Sequence, residues 1–172
     1  MKRNILTLII AVFALTQAAA QTYDNLWKQA DIIARKDQPR SEIGVMKKII
    51  SKASAAKDYG QLLAAEMRQM ILWKEISADS LTPNVERMEA EVLKVKDPAL
   101  KAVRYAVLGK VYSDMDEKKS QEFFKKALEQ PELLAKHTST EYVPLTLKGV
   151  DGSSFNNDLL HLIGFEADSK EA

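Results

Sequence analysis

DPALKAVRYAVLGKVYSDM, Asp97–Met115, runs directly into DEKKSQEFFKKALEQPE, Asp116–Glu132. In the first segment Leu100, Val103, Val107, Leu108 and Val111 recur at steps of three and four, the spacing of one helix face. Asp97 can accept a backbone N–H as a cap, and Pro98 suits the first helical position, where no N–H is needed. The second segment is a further helix that ends near Pro131. A helical pair joined by a short polar link is the unit from which the rest of the chain can be read.

The pair resembles a tetratricopeptide unit, in which a small residue lets two antiparallel helices approach and aromatics fill the gap. Tyr105, Leu108, Gly109 and Tyr112 fit the first helix of such a unit, and Phe124, Ala127 and Pro131 the second, with about one residue missing between them. The preceding helices share the size and alternation of such hairpins but not the signature residues. The expectation is an all-α fold of antiparallel helical hairpins stacked in a tetratricopeptide-like bundle. An irregular helical bundle would use the same packing logic.

Upstream, YDNLWKQADIIARK places Tyr23, Leu26, Trp27, Ala30, Ile33 and Ala34 at helical spacing. Pro39 interrupts it, because a proline disfavours helical geometry in the residue before it. SEIGVMKKIISKASAAK follows, with Ile43, Met46, Ile50 and Ala53 on one stripe. QLLAAEMRQMILWKEI is apolar over most of its surface and is expected to be central and largely buried. Thr82 and Pro83 then predict the cap and first residue of a fourth helix, lined by Val85, Met88, Val92 and Val95.

After Pro131 the pattern changes. EYVPLTLKG alternates, with Val143, Leu145 and Leu147 on one side and Pro144 confining it to an edge or an extended arm. A turn over Gly149–Gly152 precedes a short helix, with Asn156 or Asn157 as its cap and Gly164 as its stop. The expected organisation is a leader over 1–20, a hairpin domain over 21–136, and an arm, turn and small helix over 137–172.

The leader reads as a secretory signal. Lys2 and Arg3 form a basic start, Ile5–Leu15 an apolar run, and Ala18–Ala20 the small residues before a cleavage between Ala20 and Gln21. The run is shorter than the about 20 apolar residues a membrane span needs. A periplasmic or secreted location is therefore expected, with no membrane span after cleavage. The chain has no cysteine, so thiolate catalysis, thiolate metal sites and disulfides are excluded. Its 25 basic and 24 acidic residues alternate in sign without a basic stripe, which argues against nucleic acid.

Chemistry-bearing residues are few. His137 and His161 are the two histidines. His161 lies three residues after Asp158, close to Ser153 and Ser154, but no nucleophile-elbow pattern is present. Asp151, Ser153 and Asn157 resemble part of a calcium loop that lacks the required glycine and bidentate glutamate. Glu86, Glu89 and Glu91 are interleaved with Arg87, Lys94 and Lys96, as on a solvated helix face. Met46, Met67, Met70 and Met88 fall on apolar stripes and read as core. Trp27 and Trp73 also read as core, unless one opens into a groove between hairpins, where it would anchor a peptide or a neighbouring domain. No catalytic residue, cofactor or metal is expected, and the reading is of a non-catalytic interaction or scaffold module with a protein partner or sister domain. The alternative is a small periplasmic ligand-binding protein or enzyme using His161 and Asp158.

YDNLWKQ, KDYGQLL and FNNDLLHLIGFEA resemble the N-terminal helical region of the large alpha-2-macroglobulin-like proteins of Bacteroidetes, over Tyr23 to Ala167. The resemblance implies a leading helical module of an envelope protein whose chain continues into β-sandwich domains. The CxEQ thioester that traps proteases in many such proteins has no counterpart in a chain without cysteine. No functional residue of that family falls on these positions. The resemblance also implies that the tail around FNNDLLHLIGFEA is a hand-over into a longer chain, or the end of a stand-alone version of the module.

Overall fold

A computed structural model describes residues 23–146 and 157–168. The leader, the cleavage position at Ala20 and Gln21, Leu147, the Gly149–Gly152 turn, Asp151, Ser153, Ser154 and Asn156 lie outside these residues. Helix α1 spans residues 23–34, followed by α2 (Pro39–Ala56), α3 (Tyr59–Ile76), α4 (Ala78–Val92), α5 (Pro98–Tyr112) and α6 (Glu117–Ala127). One-turn α7 (Pro131–Leu134), a 3-10 turn (Ser139–Tyr142) and α8 (Leu159–Asp168) complete the chain. The fold is all-α. Antiparallel helices stack in tetratricopeptide-like hairpins, α2 against α3 and α5 against α6, with α3 also touching α4 and α5.

Side-chain chemistry explains where the helices begin. Asp97 accepts the Leu100 amide at 2.8 Å, Asp58 the Gln61 amide at 3.2 Å and Asp116 the Lys119 amide at 3.1 Å. Each satisfies a donor that the first helical turn leaves without an internal partner. Between α2 and α3 only Lys57 and Asp58 intervene. Lys57 takes the left-handed conformation (φ 56°) that ends one helix, and Asp58 starts the next. α4 departs from the expectation. It begins five residues before Pro83, capped at Ser77 without a side-chain hydrogen bond, so Pro83 lies inside the helix and not at its start. A proline there removes one backbone donor and crowds the preceding turn. The Asn84 side-chain amide adds a donor to the same turn, bonding the Ser80 carbonyl at 2.8 Å.

The core has three clusters, and α3 feeds all of them. Leu62, Ala65 and Leu72 join α1 and α2; Leu63 joins α5, α6 and α8; Met70 joins α4, α5 and Phe123 of α6. A helix with apolar residues around its circumference can do this only if it is surrounded, which is why α3 is central. On α2 the buried stripe runs through Ile43, Met46, Ile49 and Ala53, whereas Ile50 stays half-buried. A buried pair crosses the interior, with Arg104 donating to Glu66 at 3.3 Å. Burial pushes the Glu66 carboxyl up, against the pull of the Arg104 guanidinium.

The expected alternating arm is instead a 3-10 turn followed by a further turn, with extended backbone at Thr138 and Val143. Among the described residues the β-type pairing is an isolated antiparallel bridge between Thr138 and Asp158. The 3-10 turn docks on α3 at Gly60. A Cβ there would stand 2.2 Å from the Val143 carbonyl oxygen and 2.6 Å from the Tyr142 carbonyl carbon. α8 starts at Leu159, with Asp158 and not Asn157 accepting the His161 amide, at 2.9 Å. It runs through Gly164 without stopping, because Leu159 and Ile163 are buried against α5 and α6 and hold its face down.

Candidate interaction groove

The α5–α6 hairpin residues meet at one contact. Leu108, Tyr112, Phe124 and Ala127 are buried and Tyr105 is half-buried. Gly109 faces the Phe124 ring, where a Cβ would approach three ring carbons to 2.8, 2.9 and 3.0 Å. The Ser120 hydroxyl donates to the Gly109 carbonyl at 2.8 Å and ties the backbones together. Phe123, which the sequence reading did not single out, stacks on Tyr112 at 5.5 Å and on Tyr105 at 6.1 Å. The Tyr112 hydroxyl donates to Glu89, and the Lys119 ammonium donates to that hydroxyl at 3.1 Å. Burial and the Glu89 acceptor hold the Tyr112 phenol above its ordinary range. These groups join α4 to the hairpin.

Both histidines serve helix starts. The His161 ring nitrogen Nδ1 lies 2.8 Å from both oxygens of Asp158, the carboxylate that also accepts the His161 amide. Burial raises the Asp158 carboxyl, but the His161 amide and imidazole outweigh it and hold it below the usual carboxylate range. Bonds from the His137 ring (2.9 Å) and the Thr138 amide (2.8 Å) likewise lower Glu141. Thr138 and Glu141 form a capping box on the 3-10 turn. The described residues contain no group of three or more His, Asp or Glu placed to hold a metal. Of the glutamates on α4, Glu89 binds Tyr112 and Lys119, and Glu91 pairs with Arg87 at 2.9 Å.

The two tryptophans differ in a way the sequence could not show. Trp27 is half-buried, and its indole N–H donates to Gln61 at 2.7 Å. Trp73, like Trp27, packs half-buried against the first core cluster, and it also forms part of the wall of a cleft of about 340 Å³ between α2, α3 and α4. No hydrogen bond within the described residues engages its indole. Each helix contributes at the spacing of one face. Lys47 and Ile50 come from α2, Gln69 and Trp73 from α3, and Asn84 and Arg87 from α4. Gln69 is 4% exposed and lines the same cleft. Its residual exposure opens into the cleft. Gln69, Lys47 and Asn84 carry no signal along the chain; only the meeting of three helices makes them neighbours.

A second cavity, of about 320 Å³, lies between α5 and α8 and is lined by Val103, Val107, Phe124, Leu145 and Ile163. Lys110 and Glu166 pair across its edge at 2.6 Å. No described helix is long and apolar enough to cross a membrane.

No protein family matches this chain, and neither does any curated protein or any solved structure.

Proposed function

We propose that this chain is a non-catalytic helical interaction or scaffold module that docks a protein partner or a sister domain through the α2–α3–α4 groove. One observation carries the reading: a half-buried tryptophan and the nearly buried Gln69 side chain share one cleft where three helices meet. Aromatic anchors in pockets are the usual centres of protein interfaces. The His161–Asp158 pair has a structural role in closing the start of α8, through the amide and Nδ1 of His161 on the Asp158 carboxylate.

The leader pattern supports export to the periplasm or beyond. The resemblance of YDNLWKQ, KDYGQLL and FNNDLLHLIGFEA supports a place at the N-terminus of an alpha-2-macroglobulin-like envelope protein. Export is tested by sequencing the N-terminus of the protein from the envelope fraction, with Gln21 expected first. Docking is tested in cells with a photo-crosslinking residue in place of Lys47, and with a control in place of Glu122 on the exposed side of α6. A discrete adduct from the groove position alone is expected. No adduct, or the same adducts from both positions, would refute the docking role.

A further inference from the structure

The groove's chemistry also narrows its occupant. α2 carries Arg40, Lys47, Lys48 and Lys52, while its single acidic residue, Glu42, is buried and bonded to Arg68 at 2.7 Å. No carboxylate of α2 therefore offsets its exposed lysines. Lys52 lies over the Tyr23 ring at 5.1 Å, away from the cleft lining, which leaves Lys47 as the cation of α2 at the groove. Across the cleft stands Arg87. Its pairing with Glu91 is exposed and within one helix, a kind of pair worth only about 0.3–0.5 kcal/mol, so an arriving carboxylate can compete for it. The lining of the cleft includes two cations and no acid.

We infer that the groove binds an extended acidic polypeptide segment, with a side-chain carboxylate between Lys47 and Arg87 and an adjacent apolar side chain against Trp73 and Ile50. This inference rests on the interaction reading above. The Gln69 amide sits at the floor and can both donate to a carboxylate or carbonyl and accept from a backbone N–H. That dual capacity suits a polypeptide, whose backbone offers both groups, better than a simple anion. The cleft lies at the small end of ligand sites, with room for roughly one or two side chains, so a short stretch of extended chain fills it. Its concavity and its recessed tryptophan are poorly matched to a lipid surface, which rewards apolar groups that project.

The test uses an acetylated, amidated octapeptide of alternating Glu and Leu, and the full exported chain carrying Trp27→Phe so that emission reports Trp73. The expected result is a saturable shift in Trp73 emission that weakens as salt is raised. Binding should fall about tenfold or more in Lys47→Glu and in Arg87→Glu, and several-fold in Gln69→Leu. The Tm of all three variants should stay within a few degrees of the parent, which separates lost binding from lost fold. Equal binding of a Gln–Leu octapeptide, or no binding of the Glu–Leu peptide, overturns the inference. So does equal binding of a Gln–Leu octapeptide with a free C-terminus, which would mean recognition of a chain end. Lys47-dependent binding to phosphatidylglycerol vesicles would overturn it in favour of a membrane surface. If the groove still crosslinks in cells while the acidic peptide fails, docking stands and the acidic partner falls.

Discussion

Replacing Gly109 by Ala sets two effects of opposite sign against each other. In a helix interior alanine is favoured over glycine by about 1 kcal/mol. Against this, the new methyl would stand 2.8–3.0 Å from three carbons of the Phe124 ring. Carbon atoms attract best at about 3.5–4.0 Å, so the overlap is well over half an ångström. Phe124 is 5% exposed and enclosed by the second core cluster, and the Ser120 bond holds the Gly109 backbone in place. Overpacking of this kind costs about 1–3 kcal/mol. The net expectation is a loss of about 1 kcal/mol, or roughly 2–4 °C in Tm for a domain near this size. Phe124→Leu alone should cost about 1–1.5 kcal/mol, as a conservative core change does. In the double variant the methyl finds room and the helical gain of alanine is released. Urea titrations followed by circular dichroism should then give a favourable coupling of at least about 1 kcal/mol. Additivity within about 0.3 kcal/mol would refute a direct contact, and a raised Tm for Gly109→Ala alone would show that the ring yields freely.

Other outcomes follow from the same geometry. Asp97→Ala removes an observed cap bond and should cost about 1 kcal/mol in a urea titration, whereas Ser77→Ala, where no such bond exists, should lie within about 0.5 kcal/mol of the parent. Glu66→Ala leaves the Arg104 guanidinium buried without its partner, and the urea midpoint should fall by the equivalent of about 3–5 kcal/mol; replacing both residues by Leu should cost far less. Asp158 has a folded pKa below its ordinary 3.8, so its charge contributes stability that is present above the unfolded pKa and lost as pH falls through the folded one. Asp158→Asn should therefore lower Tm at neutral pH and converge with the parent in strong acid; a constant offset at all pH values would refute the charge effect. Tyr142, raised to about 12 by burial and by the charges of Asp97 and Glu141, should keep its phenol protonated past the ordinary 10, and stability should decline as pH climbs through that window. An ultraviolet titration of the folded protein checks this.

Local chemistry made much of the fold legible. Asp97–Pro98 started α5 as expected, because a cap and a first-turn proline act within four residues of chain. The surrounded character of α3 was legible for a related reason: apolar side chains around a full helix need neighbours on every side. Thr82–Pro83 carried the same local signal as Asp97–Pro98 and was misleading. Ala78 to Thr82 continue the helix backwards because the buried Leu81 and Val85 pack into the third cluster, and that packing outweighs one lost backbone bond. The arm around Val143 misread for a similar reason. Its alternation suggested a strand, but among the described residues no strand lies beside it, and the chain folds down onto Gly60 through a 3-10 turn.

The sequence by itself determined the helical class, the hairpin pairing of α5 with α6, and the want of thiol chemistry. These depend on side-chain type and on spacings within a few turns. Tertiary structure alone decided which tryptophan faces a cleft, that Gly60 makes room for a returning chain, and that α8 runs past Gly164. It also decided that Lys47, Gln69 and Arg87 meet. They lie on three different helices, and no spacing along the chain encodes their neighbourhood. Only the stacking of α2 and α4 on either side of α3 does so, through buried area that no single segment possesses.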